Sequence, residues 1–152
     1  MNALRTVLIV LVLLAALQST WFFLGMARVG VISWLTFNAC AVANITLIIG
    51  YVLFLVLKTR LVMYMAVLPL FFFGTGGLFV FPWGGWNIIP QISHIIMTLN
   101  LIVLVYDMFR TGDFKTGALG LLLSIVLFGW FLGFQQSYVY SHRSEFQKIM
   151  KF

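Results

Sequence analysis

Few side chains in this sequence have chemistry to offer, and most of them sit inside apolar runs. Gln91, His94 and Thr98 are spaced i, i+3, i+7, which puts them on one stripe of a helix. Asn87 lies just ahead of the same stripe. Thr36, Cys40 and Asn44 repeat at i, i+4, i+8 and predict a second stripe, with Asn38 pointing elsewhere on that helix. Polar groups within an apolar span are the first candidates for function. If the two stripes face each other they line a polar site or a narrow path, and His94 can there bind a proton, a quinone oxygen or a metal. The plainer alternative is helix-to-helix hydrogen bonding, which contributes about 0.6 kcal/mol per group. Charging His94 at such a depth is costly without a partner. It is therefore expected to be neutral near pH 7, with Gln91 or Thr98 as companions along its own helix and Asn44 as the companion across.

The same inventory limits the reactions available. The chain has three acidic residues, Asp107, Asp113 and Glu145. None lies near a span centre, where a coupled carrier keeps a carboxylate, and no two are placed for acid–base catalysis. Asp107 and Arg110 are three residues apart, a spacing that suits a local ion pair. There is no phosphate-binding loop, no paired-cysteine zinc pattern and no nucleophile elbow, so no catalytic residue and no metal site is assigned. A haem held by two histidines within one bundle would need both inside the membrane. His142 lies beyond the last span, so His94 offers at most one ligand to a haem shared with a partner chain, or a hydrogen bond to a quinone. Cys40 is the single cysteine; it forms no internal disulfide and in an apolar run usually behaves as a small hydrophobe. Asn44-Ile45-Thr46 matches the glycosylation pattern, but at mid-membrane depth it is out of reach.

The elements that must position these groups follow from composition. Of 152 residues 63% are hydrophobic and 8% charged, with a mean hydropathy of +1.12. A soluble domain carries about 25% charged residues, and a fold with so few could not cover its surface in water. Disorder is excluded by the excess of apolar surface. The net charge of +6 is scattered between apolar runs and forms no basic face, which excludes a nucleic-acid module. An all-α, polytopic membrane protein remains. A span needs about 20 mainly apolar residues, and five stretches qualify, near 6–26, 31–57, 61–81, 90–109 and 118–140, in a single domain. They lack the two-residue alternation of an outer-membrane barrel. The first resembles a signal peptide, but the apolar run continues through Trp21-Phe22-Phe23-Leu24 and the cleavage pattern is poor, so an uncleaved span is expected.

The connections are short. Arg5, Lys58, Arg60, Arg110 and Lys115 fall on one side; once the tail is set aside, Arg28 alone falls opposite. The positive-inside rule then predicts a cytoplasmic N-terminus and an outside C-terminus in a cell (inner or plasma) membrane. Trp21, Trp34, Trp83, Trp86, Tyr138 and Tyr140 gather near the outer span ends as interfacial anchors. Phe146, Ile149 and Met150 recur at helical spacing opposite Arg143, Gln147 and Lys151, which predicts a short interfacial helix. Pro69 followed by Phe71-Phe72-Phe73-Gly74-Thr75-Gly76-Gly77 predicts a kinked or partly unwound third span, with Gly74 and Gly77 at its packing face. Gly129 and Gly133 form a Gly-x-x-x-Gly pair that lets helices approach closely, either inside the bundle or against another chain.

The reading these features favour is a non-catalytic membrane protein, an accessory or structural subunit of a larger membrane complex or a homo-oligomer, with lipid and other subunits or copies of itself as partners. A small transporter or channel with a path along His94, Gln91 and Asn44 is the first alternative. A lipid-, quinone- or haem-binding subunit using His94 and the Phe-rich third span is the second.

Overall fold

A computed structural model describes residues 2–80 and 82–149. The chain is an all-α bundle with five helical spans long and apolar enough to cross a membrane: Ala3–Met26, Ala39–Leu57, Leu61–Val80, Ile88–Thr111 and Phe114–Ser141. The first is helix α1 (Asn2–Thr20), which widens into a π-helical turn over Trp21–Met26. The sequence predicts one long second span from residue 31; the structure divides it. Helix α2 (Val31–Phe37) ends at Asn38, whose backbone leaves the helical region (φ −113°, ψ 49°), and α3 (Ala39–Leu57) begins after it. The third span is α4 (Leu61–Tyr64), α5 (Val67–Pro69), a π-helical turn (Leu70–Thr75) and α6 (Gly76–Val80). The predicted kink is therefore present, and its cause is Pro69. Without an N–H, Pro69 cannot continue the hydrogen-bond ladder. The chain tightens before it, where the Ala66 amide bonds the Met63 carbonyl at 3.0 Å, and widens after it.

A single 3-10 turn at Gly85–Asn87 leads into α7 (Ile88–Thr111), and α8 (Phe114–Ser141) and α9 (Arg143–Ile149) complete the chain. Pro90 sits in the first turn of α7, where its missing N–H has no helical partner to lose. Gly112 closes α7 in the left-handed region (φ 66°), a conformation that glycine adopts without a Cβ penalty.

The core lies between α1, α3, the third span and α7, built on Val12, Ala43, Leu47, Met63, Ala66, Leu70 and Met97. Small residues let the spans approach. A Cβ at Gly50 would lie 2.6 Å from the Val62 carbonyl oxygen, and one at Gly74 would lie 2.7 Å from Met97 Cβ. The third span is the most enclosed, 44% buried, and α8 the least, 17%, because α8 packs on α4 and α5 near its start and on α2 near its end. Leu119, Leu122, Ile125, Val126 and Trp130 of α8 are exposed, as lipid-facing residues are.

The two ends of the bundle are distinguished by their contacts. Arg5, Arg60, Asp107 and Asp113 meet at one end. At the other, Ser33 Oγ is 3.0 Å from the Tyr138 hydroxyl and donates to Glu145 at 3.5 Å. The expected tail helix is α9, and its apolar side rests on protein: the rings of Phe146 and Phe37 are 5.2 Å apart and Ile149 is buried. Met150 and Lys151, also placed on that helix by the spacing, lie outside the described residues, as does Phe81. Trp21, Trp83 and Tyr140 are exposed as an interfacial belt requires, whereas Tyr138 is engaged by Ser33 and stacks on His142 with ring centroids 4.0 Å apart.

Candidate functional site

Helix α7 carries the polar line of the bundle. Gln91, His94, Met97, Asn100, Leu101, Leu104 and Asp107 are its buried residues, three apart except for the adjacent Asn100 and Leu101, so one side of α7 looks into the protein along its whole length. Near the start of α7 is the predicted cluster. His94 Nδ1 lies 3.0 Å from Gln91 Oε1, and its Nε2 lies 3.2 Å from Cys40 Sγ. The Cys40 thiol also donates to the Phe73 carbonyl oxygen of the third span at 3.7 Å. Thr98 donates to the His94 carbonyl at 2.8 Å, and its hydroxyl is 3.2 Å from that of Thr75. The third span makes room for the ring: a Cβ at Gly77 would lie 2.7 Å from His94 Cε1 and Nε2.

The companion across from His94 is thus Cys40, and the expectation of Asn44 in that place is corrected. Cys40 and Asn44 lie four apart on α3, and it is the one nearer the start of that helix that meets the ring; Thr36 lies before the break, on α2. Thr36 turns to its own helix, donating to the Ile32 carbonyl at 2.9 Å, while its carbonyl accepts from Gln135 of α8 at 3.1 Å. Asn38 donates to Ser19 of α1 at 3.3 Å. Asn44 is buried, and its Oδ1 has no hydrogen-bond partner among the described residues.

A second polar centre lies at the opposite end of α7. Asp107 is fully buried, with Oδ1 2.5 Å from Arg5 Nη2 and Oδ2 3.3 Å from Arg60 Nε. Arg60 also reaches Asp113 at 3.9 Å. The local pairing predicted between Asp107 and Arg110 understates this site, since its carboxylate ties α7 to α1 and to the start of the third span. Asn100, between the two centres, donates to the Ile96 carbonyl at 2.9 Å and to Leu8 of α1 at 3.5 Å. Arg5, Arg60, Asn100 and Thr75 were not recognisable as members of these groups. The available signal was the position of Asn100 and Asp107 seven apart on one face; the partners come from spans far away in sequence.

Of the glycines expected at helix contacts, Gly74 and Gly77 are at them. Gly129 and Gly133 are not packed inside the bundle: a Cβ at either would meet nothing within 4 Å. The glycines that dock α8 are Gly117 and Gly120, the latter with its Cβ position 2.7 Å from Tyr64 Cβ.

For His94 the chemistry follows from the geometry. Binding a haem iron or a quinone through Nε2 requires the Cys40 thiol to move aside. As a structural hydrogen-bonder, His94 is expected to tolerate Gln, whose amide replaces one imidazole bond. His94→Leu is expected to lower stability by about 1–3 kcal/mol, since buried Gln91 loses a partner; thermal unfolding of both variants in detergent checks this.

Fold and site together define an integral membrane protein whose polar groups run along one face of its fourth span. Comparison with family models, with curated proteins and with solved structures finds no match for this chain.

Proposed function

We propose that this chain is a non-catalytic integral membrane subunit that works by association, with other membrane subunits or with copies of itself. One observation carries the reading. Gly129 and Gly133 of α8 are exposed, and a Cβ at either would meet nothing within 4 Å among the described residues, although glycine in a helix interior is unfavourable by about 1 kcal/mol relative to alanine and is enriched where helices touch. The polar side chains of the bundle support the same view. His94 is joined to Gln91 and Cys40, Thr98 to Thr75, and Asp107 to Arg5 and Arg60. A solute path along His94, Gln91 and Asn44 needs polar groups with capacity left for the solute, and of these three Asn44 alone keeps a buried atom, Oδ1, without a partner among the described residues. The void beside Arg5 and Asn100 measures ≈ 10 Å³, room for about one water. A groove of ≈ 320 Å³ between the third span, α7 and α8 is lined mostly by apolar side chains, among them Val67, Leu104, Met108 and Leu121, and suits lipid chains.

Extraction in a mild detergent followed by native mass measurement tests the proposal. Partner chains or a multimer of this chain are the expected result. A lone monomer that by itself carries ions or solutes across liposomes would replace this reading with the transporter.

The membrane is proposed to be the cell membrane with the N-terminus cytoplasmic, since Arg5 and Arg60 share one end of the bundle and Lys58, Arg110 and Lys115 are close to that end in sequence. Cysteine labels or reporters at Thr59 and Gly112 are expected to report the cytoplasm, and those at Arg28 and Trp86 the opposite side. Agreement between Arg28 and Thr59 would sink the five-span order.

A further inference from the structure

A wedge lies between α7 and α8. The two helices are joined by the short turn Gly112-Asp113, and next to it Met108 of α7 packs on Gly117 of α8. From Gly120 onward α8 leans on α4 and α5 instead. The space left between them is the groove of ≈ 320 Å³, with Tyr64 and Val67 of the third span as its floor, Leu104 and Val105 on the α7 side and Ala118 and Leu121 on the α8 side. Phe114, Ala118 and Leu121 are exposed, so the groove opens sideways to the bilayer. From Phe114 to Leu121 it runs about 10 Å at 1.5 Å per residue. A partner helix of that length and 10 Å diameter would need about 800 Å³. The groove is too small for a helix and suits a slender apolar chain.

Its mouth is basic. Phe114, the lining residue nearest the end of the bundle, is followed by Lys115, which is exposed. Arg60 precedes Tyr64 by one turn; its side chain is 39% exposed and reaches Asp113 at 3.9 Å, which sets it beside the α7–α8 turn. Arg5, Lys58, Arg60, Arg110 and Lys115 gather at this end against two carboxylates, Asp107 and Asp113. Five cations against two acids leave a surplus of three positive charges. Both acids are engaged within the protein, Asp107 by Arg5 and Arg60 and Asp113 by Arg60 and the Thr116 hydroxyl. An apolar slot with a positive rim complements an amphiphile with an anionic head.

We propose that this groove is a binding site for an anionic phospholipid, with one acyl chain between α7 and α8 and the phosphate at the mouth, beside Lys115 and Arg60. Basic pockets between spans recognise such headgroups. A zwitterionic head brings its own ammonium to the surplus cations and is disfavoured. All the lining residues belong to one chain, so the inference is independent of the association proposed above.

The test is native mass measurement of the full chain, delipidated in a mild detergent and titrated with dioleoyl phosphatidylglycerol or dioleoyl phosphatidylcholine, which share their chains and differ in the head. Wild type is expected to retain one phosphatidylglycerol per chain, with a preference over phosphatidylcholine of roughly tenfold or more, from two cations at about fivefold each. Lys115→Gln is expected to weaken phosphatidylglycerol about fivefold and to leave phosphatidylcholine unchanged. Ala118→Trp, which fills the groove from the α8 side, is expected to lose the retained lipid; Val105→Trp, from the α7 side, serves if Ala118→Trp fails to fold. Gly133→Leu should keep the lipid whatever becomes of its partners, which separates failure of this proposal from failure of the association. No phosphatidylglycerol on wild type, equal retention of the two lipids, or phosphatidylglycerol held as in wild type by whichever groove variant folds overturns the proposal.

Discussion

Asp107→Leu is expected to destabilise the bundle by about 3–5 kcal/mol, the cost of leaving a buried charge without its partner. Asp107 is 1% exposed at its side chain and Arg5 is 10%, while Arg60 is 39% exposed. The loss falls on Arg5, because Arg60 can turn to water and to Asp113. Arg5 stands near the start of α1, so its long stem allows the guanidinium to reach toward the headgroups, which draws the effect toward the lower end of the range. The double variant Arg5→Met with Asp107→Leu removes both charges and is expected to recover most of the stability, since a buried ion pair is often replaceable by apolar residues of similar size. Unfolding of the single and double variants in detergent measures both, and additive losses would show that the pair is not coupled.

Gly120→Leu and Gly133→Leu, the same substitution in the same helix, are expected to differ sharply. At Gly120 the first added carbon would stand 2.7 Å from Tyr64 Cβ and 3.2 Å from the Leu61 carbonyl oxygen. These are atoms of, or next to, a helix backbone and cannot swing away, so α8 must leave the third span. Overpacking of this kind costs about 1–3 kcal/mol and occasionally more, and the separated α8 should become sensitive to protease near Asp113. At Gly133 there is open space, and the variant should unfold within about 0.5 kcal/mol of wild type, as surface substitutions do. Its assembly, not its fold, should change: native mass measurement is expected to show loss of partners or copies. A destabilised Gly133→Leu monomer would mean that this face is packed within the chain after all.

The span count was legible because it depends on run length and on the scarcity of charges. The kink at Pro69 was legible because a missing N–H acts locally. The break at Asn38 was not, since asparagine within an apolar run carries no strong helix-stopping signal. The break puts Thr36 on α2 and Cys40 on α3, while the choice of Cys40 over Asn44 as the partner of His94 depends on how far α3 slides along α7. The Gly-x-x-x-Gly motif showed the opposite failure. Gly129 and Gly133 carry the motif, yet a Cβ at either would meet nothing within 4 Å among the described residues, while Gly120, which is packed against Tyr64, was the less conspicuous glycine.

Composition and periodicity by themselves determined the solvent, the helical class, the five spans and the polar face of α7 from Gln91 to Thr98, because each depends on residues within a few turns of one another. The tertiary structure alone decided which groups meet: Cys40 with His94, Thr75 with Thr98, and Arg5 and Arg60 with Asp107. Those pairings depend on how the spans rotate and slide against each other. In a chain whose spans are nearly uniformly apolar, hydrophobic pattern hardly distinguishes one helix face from another. The rotation is then set by close backbone approach at Gly50, Gly74, Gly77 and Gly120 and by a few polar contacts, and these are properties of pairs of helices that no single run of sequence contains.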